Sequence, residues 1–294
     1  MKLKYYIKSF RLRTLPLSIS GIIMGAFLAV NDNCFDLQIF LFAIATTLSL
    51  QILANLSNEY GDLKKGTDNE ARLGPIRSIQ RGYLSMNDMK KMIYAFVFIS
   101  IFFGLLLIYS AWNFISVNFI VFVVLGLLSI IASLKYTLGK NPYGYHGLGD
   151  LFVFIFFGLV STFGCYYLMS GTLNYIVLLP AASIGLLSVA VLNVNNMRDM
   201  DNDKACNKQT IPVKIGIKNA KIYHLILIVL SFLFFTIYAV YAHKTFVYCL
   251  AIPLFVIHLK NILSGEGKIL DKQMAVLSLS TLLFTVLAGV SICF

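Results

Sequence analysis

Nine apolar runs, at residues 15–30, 37–56, 89–111, 117–136, 151–170, 175–195, 220–242, 246–263 and 274–293, dominate the chain. A helix that crosses a bilayer needs about 20 largely apolar residues, and the runs are of that order. In hydrocarbon each segment must pair its own backbone polar groups, and the runs exceed the roughly 9–11 residues of a barrel strand. The sequence therefore predicts an all-α polytopic membrane protein, nine transmembrane helices around a central cavity, in one domain over residues 1–294. Composition agrees: 59% of residues are hydrophobic and 13% charged, against about 45–50% and about 25% in soluble domains. Two linkers, about 59–88 and 197–219, are long among short ones, and such loops are often functional. Short helices inside them are predicted to cap the cavity.

Basic residues orient the bundle. An odd number of spans places the N-terminus and the linkers after spans two, four, six and eight on one side. That side receives all of the 24 Lys and Arg except Lys244. By the positive-inside rule it is cytoplasmic, and the net charge of +11 reflects these loops rather than nucleic-acid binding. The N-terminal KLKYYIKSFRLRT, basic with interleaved aromatics, suits the anionic cytoplasmic leaflet either as an amphipathic lead-in or as a plain topological anchor. It leads into an ordinary helix, with no small-residue cleavage site. The five Cys are scattered without CxxC spacing, so neither a zinc site nor a disulfide framework is indicated. His224 and His258 are read as lying near helix ends or lining the interior.

Two polar stretches break the apolar pattern at equivalent places, the ends of spans two and six: NLSNEYGDLKKGTDNEARLGPIRSIQR from Asn55 and NVNNMRDMDNDKACNKQT from Asn193. In the second, Asn195, Asp199 and Asp203 are spaced i, i+4, i+8, which places them on one face of a helix. In the first, Asn58 and Asp62 are four apart, whereas Asp68 follows six later, off that face. Gly66 between them predicts that the helix ends there and that the loop folds Asp68 back. Two carboxylate clusters, each followed by basic residues, suit a diphosphate. Mg²⁺ prefers oxygen ligands, uses few carboxylates and completes its shell with phosphate and water, while Arg and Lys hold the remaining phosphate charge. The metal-ligand candidates are Asn58, Asp62, Asp68, Asn195, Asp199 and Asp203, of which Asp62, Asp68, Asp199 and Asp203 are the catalytic candidates.

These motifs resemble the UbiA superfamily of intramembrane aromatic prenyltransferases, whose two Asp-rich motifs read NxxxDxxxD. The second motif here fits fully; the first departs at Gly66. That departure, together with NEYGDLKKGTDN, RLGPIRSIQRG, KNPYGYHGLGD and VLNVNNMRD, resembles the branch that prenylates 1,4-dihydroxy-2-naphthoate in menaquinone synthesis. The resemblance runs from RTLP (13–16) to the seventh span. It implies a bacterial cytoplasmic (inner) membrane enzyme that uses Mg²⁺, a polyprenyl diphosphate and 1,4-dihydroxy-2-naphthoate, amid membrane lipid and without nucleic acid. Arg77 and Lys208 resemble the family's first-loop Arg and the Lys after its second motif.

Prenyl transfer needs diphosphate departure, a sheltered allylic cation and a positioned nucleophilic ring. Arg77, Arg81, Lys140 and Lys208 are the candidates for phosphate contact. Tyr136, Tyr143, Tyr145, Phe152 and Phe156 are the candidates for an aromatic wall that stabilises the cation. Asp150 opens the fifth span, either as a helix N-terminal charge or orienting the acceptor hydroxyls. Three other readings compete. A 4-hydroxybenzoate acceptor would suit another branch of the superfamily. A transporter would place its ionisable groups at mid-membrane, whereas here no span centre is charged. A phosphatidyl-group transferase would carry a single acidic motif.

Overall fold

The computed structural model describes residues 3–112 and 115–294. Lys2, one of the basic residues counted at the N-terminal side, lies outside them, as does the side chain of Lys268. Among the described residues nine helices are long and apolar enough to cross a membrane: α1 (Leu3–Asn31), α2 (Leu37–Lys64), α3 (Met86–Ala111), α4 (Val117–Lys135), α5 (Gly149–Ser170), α6 (Tyr175–Arg198), α7 (Ile211–Tyr241), α8 (Val247–Ser264) and α9 (Ile269–Cys293). The chain is an all-helical, multi-pass membrane protein, as its run lengths predict.

Local sequence starts several helices sharply. Asp36 accepts from the Ile39 N–H at 2.9 Å ahead of α2, Ser116 caps α4, and Ser85 and Asp88 form a reciprocal capping box ahead of α3. Each such cap contributes about 1 kcal/mol. The helices differ in burial: 61% of the apolar window of α6 is inside the protein, against 11% for α4. α6 is thus central and α4 peripheral. α6 packs along α5, where Gly158 and Gly185 let the backbones meet; a Cβ on Gly158 would lie 2.6 Å from the Gly185 Cα. One core cluster joins α1, α6, α7, α8 and α9, and a smaller one joins α2, α3 and α4 at the end where the N-terminus lies.

α1 is interrupted. Arg11 adopts a left-handed conformation (φ 53°), and a tight turn, Leu12–Thr14, separates Leu3–Ser9 from Leu15–Asn31. α7 bends at Gly216, whose φ of 79° and ψ of 161° are open to glycine. A wider, π-type stretch, Phe154–Phe163, interrupts α5.

The two long linkers meet over this end of the bundle. Asn202 Nδ2 donates to the Thr67 carbonyl at 2.8 Å, the Gln209 N–H donates to the Tyr145 carbonyl at 3.0 Å, and Tyr5 stacks on Tyr83 with ring centroids 4.1 Å apart. The prediction of short helices in both linkers needs correcting. The second contains one, Met200–Ala205. The first is built from turns, with Gly66 (φ 78°) and Gly82 (φ 73°) in left-handed positions. Its order comes from docking: buried Glu59 accepts from the Ile79 N–H at 3.1 Å, and Ser78 donates to the Tyr5 carbonyl at 3.1 Å.

Candidate active site

The first acidic motif ends α2. Asn58 and Asp62 share a helix face and line the cavity. The helix stops at Lys64, Gly66 reverses the chain, and the N–H groups of Thr67 and Asp68 both reach back to the Asp62 carbonyl, at 2.9 and 3.3 Å. The six-residue spacing is absorbed in that reversal, as Gly66 predicts. Asp68, however, lies behind the cavity wall, where its side chain is fully buried and paired with Arg72 and Arg77, Nε to oxygen 3.1 and 3.4 Å. Burial outweighs these two cations and pushes the Asp68 carboxyl above its usual range.

The second motif ends α6. A straight helix through Asp203 is predicted; instead α6 ends at Arg198, and Asp199 (φ −98°, ψ 10°) is a joint to the short helix Met200–Ala205. The i to i+4 pairing survives the joint, from the Asp199 N–H to the Asn195 carbonyl at 3.2 Å and from the Asp203 N–H to the Asp199 carbonyl at 2.8 Å. Asn195, Asp199 and Asp203 therefore still face the cavity together. Burial alone would raise the Asp199 carboxyl, but Arg198, Arg72 and Lys208 outweigh it and hold it below the usual range. Burial, aided by Asp199 and Asp62 and opposed by Lys208, pushes Asp203 up to about 6.

Two cations join the motifs across the gap. Lys208 Nζ lies 3.9 Å from Asp62 and 3.6 Å from Asp203. Arg72, paired with Asp68, also lies 3.5 Å from Asp199. Each bridge holds one carboxylate of each motif. Lys208 is 6% exposed; burial opposes its charge, but Asp62 and Asp203 outweigh burial and hold the ammonium above its ordinary range. Tyr145 stands behind this bridge, its hydroxyl donating to Asp62 at 2.8 Å and accepting from Thr67 at 2.6 Å.

Below the charged layer the wall is aromatic. Tyr136 meets Tyr143 edge-on at 5.3 Å, Tyr143 stacks on Phe152 at 4.0 Å, and Phe152 lies 6.2 Å from Phe156; all four line the cavity. The cavity holds about 340 Å³, near the small end of the roughly 300–1,000 Å³ typical of small-molecule sites. Its apolar depth is bounded by Phe122, Leu125, Gly164 and Leu168.

Besides Asp68, four predicted residues fall off the cavity. Arg81 is exposed off the cavity, because its turn buries Ile79 against α2 and leaves Arg81 facing outward. Lys140 is exposed in the turn after α4. Tyr145 is a support for Asp62 rather than a wall. Asp150 is off the cavity and accepts from the Tyr223 hydroxyl at 2.9 Å. Sequence reasoning missed Arg11, Arg13, Arg72 and Arg198. The first three line the cavity; Arg198, 3% exposed, grips Asp199 and Asn195. The visible signals were the i, i+4 spacing of Asp68 and Arg72 and the direct adjacency of Arg198 and Asp199. His224 and His258 are interior residues away from the cavity, paired with each other at 2.9 Å, with His258 also 2.9 Å from Gln273.

The arrangement is a buried pocket with hard oxygen donors on two sides, cations between them and an aromatic floor, able to take a strongly anionic head and an apolar, cation-forming tail. Residues 18–265 match the UbiA prenyltransferase family. The 1,4-dihydroxy-2-naphthoate octaprenyltransferase of Escherichia coli is 41% identical over 254 residues, 85% of this chain and 82% of that one. The enzyme of the same name from Haemophilus influenzae is 38% identical over 87% of this chain and 85% of its own. Among solved structures, a UbiA homolog from Archaeoglobus fulgidus bound to DMAPP and Mg²⁺ superposes with a TM-score of 0.67 over 98% of this chain and 99% of that one, at 13% identity. A fold shared at that identity, a family match over most of the length and relatives this similar across most of both chains lead to one assignment: the chain is a member of the UbiA prenyltransferase family.

Proposed function

We propose that this protein transfers a polyprenyl group from polyprenyl diphosphate to 1,4-dihydroxy-2-naphthoate, with loss of CO₂, giving demethylmenaquinone. The observation that carries the reading is the pair of cross-motif bridges, Lys208 between Asp62 and Asp203 and Arg72 between Asp68 and Asp199, set over an aromatic-lined cavity. The acceptor follows from the two relatives that carry the naphthoate activity in their names.

The donor set fits Mg²⁺. Asn58, Asp62, Asn195, Asp199 and Asp203 offer only oxygen ligands to the cavity. Among the described residues no three His, Cys, Asp or Glu side chains converge into a protein-only cage. An ion that completes its shell from phosphate and water suits such split clusters. When bound, Mg²⁺ neutralises charge developing on the departing diphosphate. Lys208, Arg72 and Arg77, now occupied by carboxylates, are placed to turn to phosphate oxygens as the ligand enters. Tyr136, Tyr143, Phe152 and Phe156 then face the allylic carbon and exclude water from it.

The acceptor chemistry places little demand on a base. Two hydroxyls make the naphthalene electron-rich. Attack by the carbon that bears the carboxylate leaves a β-keto-acid-like intermediate, and CO₂ departs with its bonding electrons returned to the ring. No proton leaves that carbon. Among the described residues the cavity lining contains no histidine, and its carboxylates are Asp62, Asp199 and Asp203. The basic asymmetry supports a site that opens to the cytoplasm, from an inner-membrane protein with a cytoplasmic N-terminus.

The test is a carboxyl-labelled acceptor. The label is expected to leave as CO₂ in a 1:1 ratio with diphosphate, and 4-hydroxybenzoate is expected to be a poor acceptor. Label retained in the prenylated lipid would remove the naphthoate assignment and leave prenyl transfer standing.

A further inference from the structure

The last span carries no motif and lies beyond residues 18–265, which match the family. It nevertheless holds one acid in its first turn, Asp271, at the cavity end of the bundle. Asp271 Oδ1 accepts from Arg198 Nη1 at 2.6 Å and from Arg13 Nη2 at 3.3 Å, and Oδ2 accepts from Arg13 Nη1 at 3.2 Å. Arg13 is also outside the matched residues, and it lines the cavity on the turn that interrupts α1.

Arg198 is committed at every nitrogen. Nε and Nη2 grip the two oxygens of Asp199, at 3.0 and 2.5 Å, Nη2 also donates to Asn195 at 2.9 Å, and Nη1 is taken by Asp271. A planar guanidinium held on both edges cannot rotate, so the plane of the Asp199 carboxylate is set by an arginine that Asp271 sets in turn. Asp271 also offsets the charge of a side chain that is 1% exposed. Without it, Nη1 of Arg198 is left unpaired beside the diphosphate pocket, free to swing toward phosphate and take Asp199 with it.

We propose that Asp271 is a positioning residue: it locks Arg198, and through it Asn195 and Asp199 of the second motif, and ties that motif to Arg13 on the first span. This rests on the prenyl-transfer reading above and adds to it a residue from the last span. The role is indirect, since Asp271 itself does not line the cavity.

The test uses the full-length purified protein and the Asp271→Asn, Asp271→Glu and Arg13→Gln variants, with rates measured on whichever aromatic acid the wild type prenylates. A wrong acceptor then appears as a changed wild-type preference, independent of the variants. Asp271→Asn is expected to lower kcat by about 10-fold or more, the scale for losing an outer partner of a ligand set, with KM for the prenyl diphosphate within about twofold. Asp271→Glu, which keeps a carboxylate able to bridge two arginines, is expected to recover most of that loss. Arg13→Gln is expected to lower kcat less than Asp271→Asn, because Arg198 keeps its partner. Thermal melting separates positioning from folding: the Asn variant should melt within a few degrees of wild type. A wild-type kcat in Asp271→Asn overturns the proposal. So does a loss that tracks the melting temperature and is not recovered by Glu.

Discussion

Lys208 sits where Asp62 and Asp203 otherwise face each other without a counter-ion. Breaking a buried pair by removing one partner costs about 3–5 kcal/mol, because the uncompensated charge stays buried. Lys208→Met should therefore melt well below wild type, and Mg²⁺ should recover part of the difference by supplying the missing positive charge. An unchanged melting temperature would show that the two carboxylates do not interact through it. The acids themselves report on turnover. Asp62→Asn, Asp199→Asn and Asp203→Asn should each lower it by about 10²-fold or more, the scale for one preorganised electrostatic group. Asp32→Asn and Asp36→Asn, at the far end of the bundle, should be near neutral. Asp36 caps α2, and Asp32 accepts from Tyr166; Asn can do both. Equal losses in the two sets would mean that general charge, not a site, is being read.

At the scale of elements, what the sequence made legible was what local chemistry controls. Run lengths placed the nine spans found among the described residues, and Gly66 placed the reversal that brings Asp68 back. A Cβ at Gly66 meets nothing within 4 Å, so Gly66→Ala isolates the backbone cost of a left-handed residue, about 1–2 kcal/mol. The melting temperature should fall by that measure, and turnover should fall with it as Asp68 loses its place; an indifferent variant would remove the reversal from the account. The joint at Asp199, the turn at Arg11 and the helix-free first linker were not legible. Each is fixed by partners far along the chain. Arg198 reaches Asp271, Asn55 Nδ2 donates to the Phe10 carbonyl at 2.9 Å, and Glu59 holds Ile79. Lys140 and Arg81 misled for the converse reason: a basic residue near a motif looks the same in sequence whether its turn faces inward or out.

For the whole molecule, the side to which the sequence assigns every basic residue but Lys244 is also the side on which the linkers converge. A reporter fused after Phe294 should therefore lie outside the cytoplasm; a cytoplasmic signal would invert the orientation. Chelation by EDTA should abolish prenyl transfer and Mg²⁺ should restore it, because the motif acids otherwise repel the diphosphate; full turnover in chelator would exclude the ion from the reaction. The cap has one more consequence. Its two linkers are stitched to each other, to Tyr5 and to Tyr145 by hydrogen bonds and ring stacking. On the prenyl-transfer reading, donor and product are lipid-soluble, and the route that avoids this stitched cap is lateral, through the bilayer. On the same reading, diphosphate and Mg²⁺ are strongly hydrated and exchange with water on the cap side.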